Sequence, residues 1–353
     1  MPLFLLLIFF LFFTITFIKV KSKRVSFKEK FPQKISLIIA AKNEEQNIKS
    51  LIDSLVTQNY ETYNYEVIIV DDSSTDKTFT ETTLLTEKLD NFKIIKAEKK
   101  IYEGKRGALQ IGIENSKHEY ILITDADCVV EKNFLLAYSN KFQDDFDFIF
   151  GVAPYYQNKE LVNKIACYDN LWVHILTFGF ANNKLPYSAA ARSFGFKKSS
   201  FMKIKGYKNT RETLSGDDDL LLREAVKNKM KIGTITEENA FVHSKPEDTF
   251  KEFVDQKSRH TSSSNYYSFK IKFMLGFWHF VNILIVLNLI LNFSATSLTL
   301  LTVKLIFDII IVRSLMKTFG YKFSLLEIIY LQIIYEMLLI VYFVKGLFSK
   351  KKW

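Results

Sequence analysis

From about residue 32 to residue 130, short apolar runs alternate with stretches in which apolar residues recur every three to four positions. "ISLIIAA", Ile35 to Ala41, is a continuous apolar run of the kind found in strands covered on both faces. Ile48, Leu51, Ile52 and Leu55 then repeat at helical spacing. Asn43 is the N-cap candidate for that helix, with Glu44 and Glu45 in the first turn, where the helix dipole favours them. "EVIIV", Glu66 to Val70, is the next strand; it runs into "DDSSTD", where Asp76 can cap a second helix. Phe92 to Ala97 reads as a third strand, about Lys105 to Ser116 as a helix, and Tyr120 to Thr124 as a fourth strand. Alternation of this kind predicts an α/β fold, a mainly parallel sheet with helices on both sides. Ligands of such sheets bind beyond the carboxyl ends of the strands. Asn43, Asp71, Asp72, Asp125 and Asp127 all fall there. No internal repeat or low-complexity tract interrupts the pattern.

At both ends the alternation gives way to long apolar segments. Leu3 to Ile18 carries no charge and precedes Lys19, Lys21, Lys23 and Arg24. Crossing a bilayer takes roughly 20 residues, so this run needs Met1, Pro2 and the stem of Lys19 to complete it. A cleaved leader would put its basic residues first and carry a small-residue cleavage site. Neither is present, so an uncleaved anchor with its basic end in the cytoplasm is expected. After about Phe273 come three more candidates: residues 273–295, residues 297–312 with Lys304 and Asp308, and residues 325–344 with Glu327 and Glu336. Three full crossings would leave the terminal "SKKKW" outside, against the positive-inside tendency. One of the three, the last by its glutamates, is therefore expected to lie in the interface or turn back. Lys304 and Asp308 are four residues apart and share a helix face, so they are expected to pair with each other or with Glu336. The resulting division is an anchor over residues 1–24, an α/β domain over 25–267, and a membrane region of two to three helices over 268–353.

The formal net charge of +10 invites a nucleic-acid reading. No helix-turn-helix, zinc or aromatic RNA-binding motif accompanies it. Many basic residues instead flank the apolar segments, where anionic lipid and topology account for them. No nucleic-acid partner is expected. Cys128 and Cys167 form no metal or disulfide pattern, which fits a reducing compartment. The polar end of the fourth strand, "YILITDADCVV", changes the picture more. Asp125 and Asp127, separated by Ala126, can point to one side of the strand. Two carboxylates so close repel each other unless a cation lies between them. Such oxygen sites suit Mg²⁺ or Mn²⁺ shared with substrate phosphates. A solvated turn is the other reading of the same residues.

"SLIIAAKNEEQNIKSLIDSL", "VIIVDDSSTDKT", "GKRGALQIGI", "YILITDADC", "GDDDLL" and "QKSRH" occur in the order found in membrane-bound family 2 glycosyltransferases. Over about Pro32 to Tyr267 the chain resembles the cellulose, chitin, hyaluronan and poly-N-acetylglucosamine synthase group and its smaller relatives. That resemblance implies a GT-A type fold in a multi-pass protein of the cell (inner or plasma) membrane, with the catalytic domain in the cytoplasm. It implies inverting transfer of a sugar from a nucleotide-sugar donor, UDP-linked, to a saccharide or lipid-linked acceptor. Ala41 and Glu44 match positions lining the nucleoside pocket, and Asp72 one that accepts from a uracil N–H or a ribose hydroxyl. Lys105 would face the nucleotide or its phosphates, Asp125 would help hold the nucleotide, and Asp127 would ligate the divalent ion. In the G-[ED]-D pattern, Asp218 is the general base and Asp217 supports the acceptor, while Asp219 is unmatched and expected to be solvated. Capping of the following helix is the other reading of Asp217. "QKSRH" resembles Q-x-x-R-W: Arg259 would pair with the diphosphate, and Gln256 and His260 would face the acceptor. His260 stands where tryptophan is usual, offering a smaller ring and a hydrogen bond. "ARSFGFKKSSFMKIKGY" is similar to the stretch before the family's acceptor site, with Ser193 in place of an asparagine. His243, in "AFVHSKP", reads as a strand or loop residue, with a further metal ligand as the other reading. A sugar nucleotidyltransferase would share the alternating strands and a carboxylate-bound metal, but needs a glycine-rich basic loop after the first strand. "AAKNEEQN" has neither property. A catalytically inactive membrane scaffold is the remaining alternative, against which intact Asp127 and Asp218 weigh.

Overall fold

In the computed structural model, which describes residues 32–212 and 216–348, the apolar runs become strands where their pattern predicts them. The anchor expected over Leu3 to Ile18 lies outside the described residues. β1 (Ile35–Ala41), β2 (Tyr65–Asp71), β3 (Phe92–Lys96) and β4 (Tyr120–Asp125) are mutually parallel. β5 (Val129–Val130) pairs antiparallel with the later β9 (Val242–His243) in a small ribbon. β6 (Phe148–Gly151), β7 (Phe194–Lys197) and β8 (Ile232–Ile235) complete a seven-stranded sheet of order β3-β2-β1-β4-β7-β6-β8. Only β7 runs against its neighbours β4 and β6. The result is the mainly parallel α/β sheet expected from the sequence.

The continuous apolar character of β1 follows from its cover on both faces. Leu37 and Ile39 join Ile48, Leu51 and Leu55 of α1 (Ile48–Val56) in the main core. α2 (Thr78–Thr86) follows β2. On the opposite face Ile38 meets α3 (Lys105–Glu114) so closely that a Cβ on Gly112 would lie 2.3 Å from Ile38 Cγ2. α4 (Phe134–Phe142) adds Phe134, Leu135, Tyr138 and Phe142 to the main core. The chain then leaves the sheet for α5 (Leu161–Asn182) before β7, and returns through α6 (Lys198–Lys203) and α7 (Asp217–Lys227).

Two local expectations change. The first helix begins at Ile48, after a turn in which Glu44 O accepts from the N–H groups of Asn47 and Ile48, both at 2.9 Å. Asn43 therefore does not cap it. Asn43 adopts a left-handed φ of 58°, which asparagine tolerates, and its Oδ1 accepts from Thr75 N–H at 2.8 Å. Further bonds tie this loop to the one after β2, among them Asn43 N–H to Ser74 Oγ, Glu44 N–H to Thr78 Oγ1, Glu45 N–H to Asp76 Oδ2 and Lys77 N–H to Glu45 Oε2. Asp76 is not the N-cap of the second helix, a position held by Lys77, but from one residue earlier it accepts from Thr78 N–H at 3.0 Å. The two loops beyond the strand ends are thus fixed to each other.

The described residues divide into two compact units: 32–156 with 188–245, which hold the sheet, and 157–187 with 246–348. The second unit contains α5, α8 (Phe250–Thr261), α9 (Phe269–Leu291), α10 (Ala295–Leu315) and α11 (Leu325–Phe348). Three of its helices, Phe269–Leu291, Ala295–Leu315 and Leu325–Gly346, are long and apolar enough to cross a membrane. α11 is one continuous helix and shows no turning back. Inside this unit Lys304 Nζ lies 2.7 Å from Asp308 Oδ2 and 3.3 Å from Glu336 Oε1. Both expected pairings occur together. Gln332 extends them, donating to Glu336 Oε1 at 2.9 Å while accepting from Tyr168 OH and Trp172 Nε1 of α5. Charged groups at membrane depth persist when protein groups satisfy them in this way.

Candidate functional site

Strand register brings the first site residues together. Ala41 of β1 lies beside Asp71 of β2, and Ala40 beside Asp125 of β4, so three parallel strands end in one row. Asp72 continues from β2 with its N–H bonded to Ala41 O at 2.7 Å. Its side chain is buried, 1% exposed, and paired with Lys100. Lys105 opens α3 directly after Gly104, whose φ of 66° turns the chain in a way few other residues adopt. From there the Lys105 ammonium pairs with Asp125 and lies 3.8 Å from Asp217 Oδ2. Burial works against its charge, but Asp125 and Asp217 outweigh that, and its pKa stands above the ordinary lysine value. Lys105 bridges the acidic end of β4 and the acidic start of α7.

The three carboxylates at that start have different surroundings. α7 is entered through Gly216 in the left-handed conformation, at φ 74°, and none of the three aspartates occupies the N-cap position. Asp218 Oδ2 accepts from Ala191 N–H at 2.8 Å and Oδ1 from Asp219 N–H at 2.8 Å. Burial, then Asp219 and Asp217, push its pKa well above the usual carboxylate range. Asp219 is not solvated, contrary to expectation: it is 8% exposed and its Oδ1 accepts from Ala189 N–H at 3.3 Å. The reason is helical geometry, which turns every residue of a first turn to a different side, one of them inward.

Around Asp125 and Asp127 negative charge accumulates. Burial raises the pKa of Asp127, with Asp125 adding to it and Arg192 opposing. Burial likewise raises Glu44, to which Asp127 and Asp125 contribute. Among the described residues no three His, Cys, Asp or Glu side chains enclose an ion on their own. Hard oxygen donors that leave coordination positions to other oxygens fit Mg²⁺ or Mn²⁺ bound together with a diphosphate.

Four residues here escaped sequence reasoning. Arg192 bonds Ser244 Oγ and Ala153 O, both at 2.7 Å, stacks over Tyr155, and acts electrostatically on Asp127. Arg106 and Tyr207 are buried and electrostatically coupled to Asp217 and Asp218. Lys100 is the fourth. Only Arg106 carried a local signal, its place in "GKRGAL"; the others are brought in by tertiary contacts. His243 is a β9 residue, as read, 3.3 Å from Glu131 and stacked on Tyr156.

Gln256, Arg259 and His260 belong to α8 in the second unit. Gln256 Nε2 donates to Glu247 Oε1 at 2.7 Å. Arg259 and His260 lie exposed in the last turn. Between them and Gln256, Lys257 is buried against Asp169 of α5, 2.5 Å away.

Comparison with known proteins adds a family likeness. The chain matches the family model described as Glycosyl transferase family 2 over residues 36–202, and that described as Glycosyl transferase family group 2 over residues 120–345. It is 37% identical over 102 residues to a beta-monoglucosyldiacylglycerol synthase of Nostoc sp., which covers 29% of this chain and 22% of that protein. It is 30% identical over 161 residues to a dolichyl-phosphate beta-glucosyltransferase of Dictyostelium discoideum, covering 41% and 46%. To a poly-beta-1,6-N-acetyl-D-glucosamine synthase of Staphylococcus epidermidis it is 32% identical over 97 residues, covering 28% and 22%. The matches thus span less than half the length of these relatives. Among solved structures, a mannosyltransferase from Pyrobaculum calidifontis in complex with GDP-Man and Mn2+ matches with a TM-score of 0.65. It is 15% identical and covers 99% of this chain and 96% of that one, a likeness of fold.

Proposed function

The chain belongs to glycosyl transferase family group 2, and on that premise we propose that it is an inverting glycosyltransferase moving a sugar from a UDP-linked donor to a saccharide or lipid-linked acceptor. The observation that carries the reading is the Lys105 bridge, which couples Asp125 at the donor end of β4 to Asp217 beside the candidate base. Ala41, Glu44 and Asp72 form the nucleoside side of the site. Asp127, with Asp125, would hold a divalent ion, which neutralises a diphosphate and stabilises its departure. Asp218 takes the proton from the acceptor hydroxyl as that oxygen attacks the anomeric carbon. Its carboxylate has about four lone-pair sites; two accept backbone N–H groups, so others remain for the hydroxyl. A raised pKa makes it a better proton acceptor near neutral pH. Asp217 orients the acceptor. Arg259, Gln256 and His260 would serve the diphosphate and acceptor from α8.

In this reading residues 25–267 form the catalytic part, between an anchor in residues 1–24 and the apolar helices of 268–353, at the cytoplasmic face of the cell membrane. Incubating membranes that contain the protein with a panel of radiolabelled nucleotide sugars tests it. A labelled product from a UDP-sugar, lost in excess chelator and restored by Mg²⁺ or Mn²⁺, is expected. Transfer from GDP- or CDP-sugars alone, or full activity in chelator, would refute the donor and metal assignments respectively.

A further inference from the structure

Asp72 is a buried carboxylate with half of its bonding capacity accounted for. Lys100, from the loop between β3 and α3, pairs with Oδ1, whereas Oδ2 is buried and has no hydrogen-bond partner among the described residues. An unsatisfied buried carboxylate oxygen is costly and points to a donor that arrives with a ligand. The path of Lys100 is built into the fold. Its stem crosses Gly107 of α3, where a Cβ would come within 2.7 Å of Lys100 Cδ and 2.1 Å of Tyr102 O. The same loop is held by Tyr102, which packs edge-on against Tyr207 and carries Arg211 over its ring at 4.8 Å.

We propose that Lys100 is a specificity-determining residue for the donor base: by ion-pairing with Asp72 it holds that carboxylate as an acceptor only, so the pocket selects a base that presents a ring N–H. This rests on the reading that Asp72 faces the nucleobase. Uracil and thymine offer N3–H and guanine N1–H, whereas cytosine N3 and adenine N1 are themselves acceptors. An acceptor set against an ion-paired carboxylate leaves Oδ2 unsatisfied and adds lone-pair repulsion. Without Lys100, Oδ1 loses its ion-pair partner and nothing fixes which Asp72 oxygen is presented to the base. An acceptor that is no longer fixed in place discriminates less between bases with and without a ring N–H.

The test is calorimetric binding of UDP and CDP to the full-length protein in detergent with Mn²⁺. The wild type is expected to prefer UDP by roughly 10- to 100-fold. Lys100→Met should reduce that preference to a few-fold, with Lys100→Arg restoring it. Lys100 is 23% exposed on a loop, so these variants leave the sheet core untouched. Undiminished preference in Lys100→Met would overturn the proposal. Asp72→Asn separates the two levels, since its amide can donate to cytosine N3 and should swing preference toward CDP. If Asp72→Asn swings preference and Lys100→Met does not, the Lys100 assignment alone fails. If Asp72→Asn changes nothing, Asp72 does not face the base, and both statements fall.

Discussion

Three consecutive aspartates with three different environments lead to three different expected phenotypes. Asp218→Asn keeps the size of the side chain but cannot take a proton, so UDP affinity should persist while turnover falls by about 10²–10⁴. In the wild type the acid limb of kcat should lie above the ordinary carboxylate range. With Asp218 in its proposed role as base, activity would depend on its deprotonated form, and burial raises its pKa, so rate would be lost as pH falls through that raised value. Asp217→Asn should act mainly on acceptor KM. Asp219→Asn keeps an acceptor for Ala189 N–H and should do little, whereas Asp219→Ala leaves that N–H unmatched and should cost about 1–3 kcal/mol in denaturant titration. A dead Asp219→Asn that folds normally, beside an active Asp218→Asn, would move the base by one residue. At the end of β4 the expectation has the opposite balance. Asp127→Ala removes a carboxylate that repels Asp125 and Glu44. It should abolish metal-dependent transfer without lowering the unfolding temperature. A large fall in that temperature would make Asp127 structural.

Among the elements, α10 and α11 test how charge is tolerated between apolar helices. Lys304, Asp308 and Glu336 are each under 5% exposed, and Lys304 ion-pairs with both carboxylates. Removing one partner of a buried pair leaves an uncompensated charge, a loss of about 3–5 kcal/mol. Lys304→Asp and Asp308→Lys should each reduce activity and membrane yield, whereas the two together should recover a substantial part. Equal loss in all three variants would refute pairing. The same helices show what periodicity leaves open: the glutamates of residues 325–344, expected to mark an interfacial segment or a turn back, lie on one continuous helix and have protein partners. Glu336 is balanced by Lys304, and Glu327 lies 2.7 Å from Lys164 of α5.

For the molecule as a whole, orientation is the quantity that decides function, because nucleotide sugars are made in the cytoplasm. Basic clusters at Lys19 to Arg24 and at Lys270 and Lys272 flank the middle of the chain, and basic flanks favour the cytoplasmic side. A single cysteine introduced beside Lys105, in a background with Cys128 and Cys167 replaced, should react with an impermeant maleimide only after the cells are opened. Labelling of intact cells would overturn the cytoplasmic placement.

Local pattern alone determined much of this protein. The runs at Ile35, Glu66, Phe92 and Tyr120 became the four parallel strands, because a strand buried on both faces must be apolar throughout and a helix only on one stripe. Their carboxyl ends then placed Ala41, Asp72 and Asp125 in one row before any contact was known. Asn43 marks where that logic stops. Asparagine favours both an N-cap and a left-handed turn, and only its bond to Thr75, on a different loop, decides between them. The partners of Asp72, Asp125 and Asp219, and the inward turn of Arg106 and Arg192, were likewise decided by tertiary structure. Hydrophobic period is set by neighbours within a few residues, whereas the pairing and burial of a charge depend on which distant segments the completed sheet brings against it.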